Sequence, residues 1–418
     1  DSLGAWCYHQ CHMNKAPIDL KEIQSAQHRI APYVRNTPII KFDYLSRELE
    51  KNIFLKCESL QITGSFKIRG AANCILDNLT QSKKSGVVAA SAGNHAQGVA
   101  AICHQLGIKA TIVMPEWTPS IKVQNTLNWG ASVELVGKVY DDSYEHAMKL
   151  SKDQDLVFVH PFRDPKVMAG QGTIALELIE SPLFETTQAV LVCVGGGGVA
   201  TGIGTAIKAL RPGVRVYGVT AANAPAAYKS FKTNTPTKET PTFTLAEGVA
   251  TKGPDAFMLE ALKHSIDDIF SVSEESIAHA VAVLAEHGKL VAEGAGALAV
   301  AAICDNLIPE KNVTAILSGG NIDIPALNMV LNRGMVEQGR LVRLLITVID
   351  RPGGLNALTQ VLAESGANVS QIYHQRATLH SKVGEAEVEA DIETRGAKHT
   401  EQIIQTLNSR GFKVTRVS

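Results

Sequence analysis

Three glycine-containing turns in the sequence are candidates for binding a small charged molecule. Each follows an apolar run, and they read Ser91-Ala92-Gly93-Asn94-His95, Gly195-Gly196-Gly197-Gly198 and Ser318-Gly319-Gly320-Asn321. A turn from a strand into a helix places main-chain N–H groups at a helix N-terminus, where they bind anions. Consecutive glycines let an anion approach the main chain without a Cβ in the way. The second turn therefore predicts a phosphate site, although a single glycine turn is more often only a tight connection.

The residues around the second turn narrow the kind of phosphate. Gly195-x-Gly197-x-x-Ala200 formally fits the dinucleotide fingerprint, but that fingerprint needs an acidic residue about 20 residues further on. The matching strand end reads Gly218-Val219-Thr220 and offers a threonine instead. A nucleoside triphosphate loop needs Gly-Lys-Ser/Thr, which neither Gly137-Lys138-Val139 nor Gly288-Lys289-Leu290 supplies. A small phosphorylated cofactor fits these residues best.

A lysine in an apolar setting is the fourth candidate for chemistry. Lys67 lies between Phe66 and Ile68 in the run Gly64-Ser65-Phe66-Lys67-Ile68-Arg69-Gly70. Burial lowers the pKa of an amine because it disfavours the charged form, and a neutral amine can form a Schiff base. A lysine in a loop is more often simply solvated, so this signal gains weight only from the turns.

The sequence around these turns predicts alternating strands and helices. Runs rich in β-branched residues predict strands at residues 87–90, 110–114, 132–136, 156–159, 190–194, 214–219 and 313–317. The stretches between them have helical periodicity, for example residues 121–128, 144–150, 167–179 and 199–210. Strands that are apolar throughout, separated by helices, predict an α/β fold with open twisted parallel sheets flanked by helices.

A change of pattern after Asn332 predicts a domain boundary. Residues 334–341 are polar and contain glycine, and they indicate a linker between a catalytic domain at residues 14–333 and a second domain at residues 342–418. Within the catalytic domain, a small lobe is expected at about residues 86–157. The last domain has the order βαββαβ, which is ferredoxin-like. Residues 1–13 are interpreted as an N-terminal extension.

Composition excludes several classes of function. The 418 residues are 45% hydrophobic and 19% charged, with a formal net charge of −1, as in a globular protein without a global field for nucleic acid or membranes. The seven cysteines are scattered and odd in number, which indicates reduced thiols and a cytoplasmic protein. Cys7, His9, Cys11 and His12 fit no standard zinc spacing, and no metal site is expected.

A resemblance then connects the turns with the lysine. The run from Gln61 through Thr63-Gly64-Ser65-Phe66-Lys67 to Arg69-Gly70-Ala71 resembles the lysine motif of fold-type II pyridoxal-phosphate enzymes, and within them the threonine/serine dehydratase family. The resemblance covers about residues 18–332. Further matching motifs follow in order: Ser91 to Gly98, residues 170–173, Gly195 to Gly198, Glu293-Gly294-Ala295-Gly296 and Ser318 to Asn321.

The resemblance implies a role for each matching residue. Lys67 would hold pyridoxal 5′-phosphate and then act as the base at the substrate Cα, with Phe66 packed against the ring. Asn94 would bind the ring hydroxyl and Ser318 the pyridine nitrogen, while the main chain of Gly195, Gly196, Gly197 and Gly198 cradles the phosphate. Residues Ser91, Ala92, Gly93, Asn94 and His95 would take the substrate carboxylate, and Ser91 is also assigned to catalysis.

The C-terminal domain resembles an ACT domain through Asp350-Arg351-Pro352-Gly353-Gly354-Leu355 and Gly366-Ala367-Asn368-Val369. Such domains usually pair and bind a free amino acid. The resemblance therefore implies an effector site at Asp350, Gly353, Gly354 and Asn368 and a homo-oligomer, either a dimer or a homotetramer. The other interpretation of Pro352-Gly353-Gly354 is a simple turn from a strand into a helix.

The function implied is elimination from L-threonine, and from L-serine, to 2-oxobutanoate or pyruvate and ammonia. Three alternatives stay open: a serine racemase, a β-replacement enzyme of the same fold, and an amino-acid sensor whose catalytic unit has decayed. Serine racemases of this fold carry an acidic metal ligand where this chain has Thr220, which weakens the racemase alternative. Isoleucine biosynthesis and a catabolic role are both compatible with the sequence.

Overall fold

The computed structural model describes residues 16–376 and 382–417, and the chain forms two compact units, Asp1–Ile322 and Asp323–Ser418. The expected extension at residues 1–13 lies outside the described residues. No helix among the described residues is long and apolar enough to cross a membrane.

The strands of the first unit are β1 (Ile39–Lys41), β2 (Asn52–Cys57), β3 (Val87–Ala90), β4 (Ala110–Met114), β5 (Ser132–Leu135), β6 (Val157–Phe158), β7 (Ala189–Cys193), β8 (Arg215–Ala221), β9 (Asp268–Val272) and β10 (Asn312–Leu317). Its helices are α1 (Leu20–Ile30), α2 (Asp43–Glu48), α3 (Lys67–Asp77), α4 (Leu79–Ser85), α5 (Asn94–Leu106), α6 (Ser120–Leu127), α7 (Tyr140–Asp153), α8 (Pro165–Ile179), α9 (Gly198–Leu210), α10 (Ala226–Thr233), α11 (Ala256–Ser265), α12 (Glu274–Val283) and α13 (Gly294–Cys304).

Two sheets organise the first unit. The smaller has the order β5-β4-β3-β6 with every pair parallel, and it forms a small lobe. The larger has the order β1-β2-β10-β7-β8-β9, in which only β1 runs antiparallel to its neighbour. All residues of β3 and β7 are buried, as parallel strands covered by helices on both faces require. The α/β fold with two open sheets is confirmed.

The glycines of α8 explain how closely the helices pack behind the site. A Cβ at Gly170 would lie 2.5 Å from the main-chain O of Arg69 in α3. The side chain of Asp164 accepts hydrogen bonds from the main-chain N–H groups of Lys166 and Val167, and Pro165 occupies the first turn. This N-cap begins α8 where it can contact α3.

The second unit contains β11 (Leu341–Ile349), β12 (Asn368–Gln375), β13 (Glu385–Glu393) and β14 (Lys413–Arg416), with the helices α14 (Ile324–Glu337), α15 (Gly354–Glu364) and α16 (Ala397–Ser409). The sheet order is β12-β13-β11-β14, with all pairs antiparallel, which confirms the ferredoxin-like βαββαβ arrangement. Alternate residues of β13 are fully buried, namely Ala386, Val388, Ala390 and Ile392.

The other face of β13 is acidic, and one arginine neutralises part of it. Arg343 in β11 binds Asp391 with two hydrogen bonds of 2.6 and 2.7 Å and forms an ion pair of 3.1 Å with Glu389. Such cross-strand pairs offset the repulsion between like charges on one face.

The expected linker at residues 334–341 differs from the structure. The first residues of this stretch continue α14, which runs from Ile324 to Glu337. The chain divides into its two compact units between Ile322 and Asp323 rather than at residue 334. A pair of side chains one turn apart, Arg333 and Glu337 at 3.2 Å, stabilises the helical form of this polar stretch. Gly339 then adopts a φ of +64° and ends the helical region.

Three strands of the large sheet have no counterpart in the sequence-based prediction. These are β1, β2 and β9. Strand β2 contains Lys56, which is fully buried. Because lysine is charged, it interrupts the apolar run that predicts a buried strand. Strand β1 is only three residues long.

Candidate active site

The predicted turns follow strands at the carboxyl ends of the two sheets. Strand β3 leads into Ser91, β7 into Val194 and Gly195, and β10 into Ser318. The turns touch across the lobes, because the side-chain N–H of Asn321 donates to Asn94 Oδ1 at 2.7 Å. Ligands of open α/β sheets bind at this edge.

The lysine motif is held against the turn after β10. The main-chain N–H of Phe66 donates to the carbonyl O of Ser318 at 3.2 Å, and Gly320 N–H donates to the carbonyl O of Gly64 at 2.8 Å. Phe66 is buried, and the next residue, Lys67, begins α3. The structure therefore brings the candidate lysine and the candidate partner of the pyridine nitrogen together.

Lys67 has the electrostatics of a reactive amine. Burial lowers its pKa to about 8, although Cys193 and Glu293 favour the charged form. The Nζ atom donates to the carbonyl O of Pro161 at 3.1 Å and lies 5.3 Å from the centre of the Phe66 ring. Half of the amines are then neutral near pH 8, whereas a solvated lysine is almost entirely charged there.

A cluster of buried charges anchors the helix of Lys67. Arg69 forms ion pairs of 2.8 Å with Glu58 and 2.6 Å with Glu177, and Lys56 binds Glu177 at 2.5 Å. The side chains of Arg69, Glu58 and Lys56 are fully buried. Burial alone would raise the pKa of Glu58, but the Arg69 guanidinium outweighs it and holds the pKa below its ordinary value. The cluster ties α3 to the end of β2 and to α8.

The glycine turn after β7 fits a phosphate group. Gly197 has a φ of +92°, α9 begins at Gly198, and no side chain caps the first turn of that helix. A Cβ at Gly196 would collide with the Phe162 ring. The hydroxyl of Thr201, in the first turn of α9, is buried without a hydrogen-bond partner among the described residues. Main-chain N–H groups at the start of α9 are thus available to an anion.

Replacing Gly198 with alanine is expected to weaken binding of pyridoxal phosphate about 10- to 100-fold, the value of one charge-assisted hydrogen bond. The added Cβ would lie 2.5 Å from the Phe162 carbonyl O, so the turn must move. Fluorescence titration of cofactor-stripped protein measures the change. Gly213→Ala is the matched control, because its Cβ would meet no atom within 4 Å. Equal affinities in the two variants would contradict the assignment.

Ser318 is buried and already has two neighbours. Its hydroxyl donates to the carbonyl O of Ala295 at 3.3 Å and accepts from the thiol of Cys193 at 3.4 Å. Burial raises the pKa of Cys193, so the thiol stays protonated and donates. A hydroxyl in this position offers a neutral partner to a pyridine nitrogen, in contrast to a carboxylate.

The turn after β3 is accessible except for its histidine. Ser91, Ala92, Gly93 and Asn94 are partly buried, and Gly93 N–H donates to Ser91 Oγ at 3.2 Å. A Cβ at Gly93 would meet no atom of the described residues within 4 Å, so among them this side of the turn is open. His95 is buried instead: its Nε2 donates to the Val159 carbonyl at 2.9 Å, and burial together with Lys67 lowers its pKa to about 3.

Sequence reasoning missed several residues that contact the site. Glu293 accepts a hydrogen bond from Asn94 at 2.6 Å, and Cys193 contacts Ser318. Burial raises the pKa of Glu293 to about 7, although Asn94 and Lys122 favour its charged form. Glu293 was visible only as part of the motif before Gly294, and no spacing rule connects it with Asn94, which lies 199 residues earlier.

The candidate effector loop begins where β11 ends. Asp350 forms an ion pair of 3.1 Å with Arg376, whose side chain is exposed. Gly353 has a φ of +89° and precedes α15, which begins at Gly354. The loop is therefore a turn from a strand into a helix that also leaves a helix N-terminus open.

The fourth candidate effector residue lies at the other end of the sheet. Asn368 opens β12 and donates to Glu393 at 3.1 Å, whereas Ile349 pairs with Glu385 at the opposite end of β13. At ~3.3 Å per residue, the length of β13 separates Asn368 from Asp350 by about 26 Å. One domain alone does not bring these residues together.

Comparisons with known proteins agree with this geometry. The family described as "Pyridoxal-phosphate dependent enzyme" matches residues 30–319, and the ACT domain family matches residues 342–412. The chain is similar to an L-threonine ammonia-lyase of Thermotoga maritima, with 43% identity over 398 residues, 95% of this chain and 99% of that protein. An L-threonine ammonia-lyase of Geobacter sulfurreducens is 41% identical, over 94% of this chain and 98% of that protein.

Solved structures give the same fold. The processed form of threonine deaminase isoform 2 from Solanum lycopersicum has a TM-score of 0.69 and 34% identity, covering 75% of this chain and 88% of that one. Maize serine racemase has a TM-score of 0.71 with 29% identity, covering 77% of this chain and 99% of that one. The chain therefore belongs to the family of pyridoxal-phosphate dependent enzymes, among relatives that include the L-threonine ammonia-lyases, and carries a C-terminal ACT domain.

Proposed function

We propose that the chain is a threonine ammonia-lyase, which converts L-threonine, and also L-serine, to 2-oxobutanoate or pyruvate and ammonia. The observation that carries the proposal is the Lys67 amine, whose pKa burial lowers to about 8 and which begins α3 directly after Phe66, a residue hydrogen-bonded to the carbonyl O of Ser318. The identity of 43% over nearly the whole length of an L-threonine ammonia-lyase supports the choice of reaction.

Bound pyridoxal phosphate supplies an electron sink that makes the Cα–H of an attached amino acid acidic. Lys67 would attach the cofactor and then, as the neutral amine, take the Cα proton. The N-terminus of α9 would hold the phosphate, Asn94 the ring hydroxyl and Phe66 one face of the ring. The open main chain from Ser91 to Gly93 would bind the substrate carboxylate, as a helix N-terminus favours anions.

Elimination balances without an external reactant. The Cα–H bond and the bond from Cβ to the hydroxyl break. Lys67 would take the Cα proton, and the hydroxyl would leave together with that proton as one water. The enamine that is released takes up one water and loses ammonia, which leaves the 2-oxo acid. Ser318 supports this outcome, because a hydroxyl cannot keep the ring nitrogen protonated as a carboxylate would. The unprotonated ring delocalises negative charge from Cα less well, which favours prompt loss of the β-hydroxyl.

Serine racemase is the second candidate, because maize serine racemase has the same fold with a TM-score of 0.71. Thr220 argues against it. Its side chain is fully buried in β8 and its hydroxyl donates to the Phe270 carbonyl at 3.3 Å, whereas the racemases place an acidic metal ligand there.

Steady-state assays of the holoenzyme separate the candidates. With L-threonine and L-serine as substrates, 2-oxo acid should form faster than D-serine. D-serine as the main product would favour the racemase, and transfer of an added nucleophile to Cβ would favour a β-replacement enzyme. Binding of isoleucine or valine without turnover of either hydroxy amino acid would favour a decayed sensor.

Regulation is proposed at the ACT domain. Asp350 and Asn368 lie at opposite ends of one sheet, so a site built from both needs a second copy of the domain beside the first. This supports a homo-oligomer, a dimer or a tetramer, with an amino-acid effector between paired domains. We also propose that the protein is cytoplasmic and that it acts in amino-acid metabolism, in isoleucine biosynthesis, which accords with the proposed reaction.

Asp350→Ala is expected to weaken the response to a branched-chain amino acid about tenfold, because the charged partner of an effector amine is lost. The turnover number without effector should stay unchanged. Calorimetric titration with isoleucine and with valine measures the affinity. Glu364→Ala is the control, since it breaks a comparable exposed pair, with Arg410, in the same unit. An unchanged affinity in Asp350→Ala would remove this loop from the effector site.

A further inference from the structure

The side-chain amide of Asn94 is held at both ends by residues from the other lobe. Its Nδ2 donates to Glu293 Oε1 at 2.6 Å, and its Oδ1 accepts from Asn321 Nδ2 at 2.7 Å. The amide of Asn321 is itself held, because the same Nδ2 donates to the carbonyl O of Thr63 at 2.8 Å. The chain of hydrogen bonds joins the turns after β3 and β10, the lysine motif and the start of α13.

The acceptors at the two ends of this series of hydrogen bonds determine the direction in which its amides donate. In its ionised form the Glu293 carboxylate only accepts hydrogen bonds, and it then faces the amino group of Asn94. A main-chain carbonyl also only accepts, so Thr63 must face the amino group of Asn321. The amino group of Asn321 then meets the oxygen of Asn94. Both contacts of Asn94 select the same orientation of its amide, and one N–H remains for a further acceptor.

The packing around Glu293 leaves its carboxyl little room to turn away. Its main-chain N–H donates to the Gly319 carbonyl at 3.1 Å, and a Cβ at Gly319 would collide with the Glu293 carboxyl. Burial raises the pKa of Glu293 to about 7, whereas the hydrogen bond from Asn94, Lys122 and Lys67 favour its ionised form. Glu293 is thus fixed beside Asn94, and the two lysines offset part of the cost of burying its charge.

We infer that Glu293 and Asn321 are positioning residues that hold Asn94 as a hydrogen-bond donor towards the ring oxygen of pyridoxal phosphate. The inference rests on the proposed role of Asn94 as the partner of the ring hydroxyl. A donor at this place stabilises the ionised ring oxygen, because charge-assisted hydrogen bonds are the stronger ones. A flipped amide would present its carbonyl oxygen to the same atom and repel it.

The first test is the holoenzyme of Glu293→Gln, a change that keeps the size of the side chain. The introduced amide can donate as well as accept, so only Asn321 still selects the orientation of Asn94, and the charge-assisted hydrogen bond from Asn94 is lost. We expect the dissociation constant of pyridoxal phosphate to rise about tenfold and the absorbance maximum of the bound cofactor to shift. Glu239→Gln is the matched control: this exposed carboxylate pairs with Lys229, and its loss should change neither quantity.

A second variant distinguishes the direction of the Asn94 hydrogen bond from a purely structural link between positions 94 and 293. Adding Asn94→Asp to Glu293→Gln restores a hydrogen bond between the two positions with donor and acceptor exchanged. The cofactor-free double variant should unfold at the temperature of the wild type, while the shifted absorbance and the weak cofactor binding persist. A purely structural bridge would instead be rescued by this exchange.

Two results would overturn the inference. One is wild-type affinity and absorbance in Glu293→Gln, and the other is recovery of both in the double variant. These readouts use the cofactor alone, so they do not depend on which amino acid is the substrate. Failure to turn over L-threonine would refute the proposed function and leave the donor assignment standing. Normal turnover together with an unchanged cofactor spectrum in Glu293→Gln would support the proposed function and refute the donor assignment.

Discussion

Replacing Lys67 with alanine is expected to lower 2-oxo acid formation by at least about 10⁴-fold and to remove the yellow colour of the bound cofactor. The variant loses both the covalent attachment and the base at Cα. Keto-acid assays and absorbance spectra of the purified protein measure the two losses.

Lys67→Arg distinguishes charge from proton transfer. It keeps a positive charge in the site, but a guanidinium is not deprotonated in proteins, whereas the pKa of Lys67 is lowered to about 8. We expect this variant to be as inactive as Lys67→Ala. Lys84→Ala, a change at an exposed lysine, should keep full activity. Turnover by Lys67→Ala would refute the mechanism.

Arg69→Met is expected to lower the free energy of unfolding by about 3–5 kcal/mol, because Glu58 loses its buried ion-pair partner and Glu177 keeps only Lys56. The partners are Glu58, which is fully buried, and Glu177, which is 9% exposed. Urea unfolding at neutral pH, followed by a probe in the first unit, measures the change. Lys229→Ala breaks an exposed ion pair with Glu239 and should cost at most ~1 kcal/mol.

The pH dependence of this difference has a definite sign. In the wild type the pKa of Glu58 is lowered, so its contribution to stability is present above the unfolded-state pKa and is lost as the pH falls through the folded-state pKa. Without Arg69, burial raises the pKa of Glu58, and protonation relieves the uncompensated charge. The gap between wild type and Arg69→Met should therefore narrow in acid. A gap below about 1 kcal/mol at neutral pH would show that the cluster contributes little.

Much of the fold could be predicted from local patterns. Apolar runs and helical periodicity placed β3, β7 and β10 and the ACT-like order of the last domain within a few residues of their observed bounds. Strand β2 was missed because a buried lysine interrupts its apolar pattern. The charge of this lysine is stabilised by an ion pair with Glu177, which lies 121 residues away. The boundary before Asp323 was missed because helix-stabilising pairs such as Arg333 and Glu337 look like a polar linker.

The candidate site divides in the same way. Local patterns in the sequence identified the candidate lysine and the three glycine-containing turns, because strand-to-helix turns and their anion affinity depend on neighbouring residues. Contacts in the folded chain were needed to show that Asn94 is hydrogen-bonded to Glu293 and Asn321, that Arg69 is paired with Glu58 and Glu177, and that Asp350 and Asn368 lie apart. These relations depend on sheet order and register, which bring residues distant in sequence into contact or keep them separated, and no local spacing encodes them.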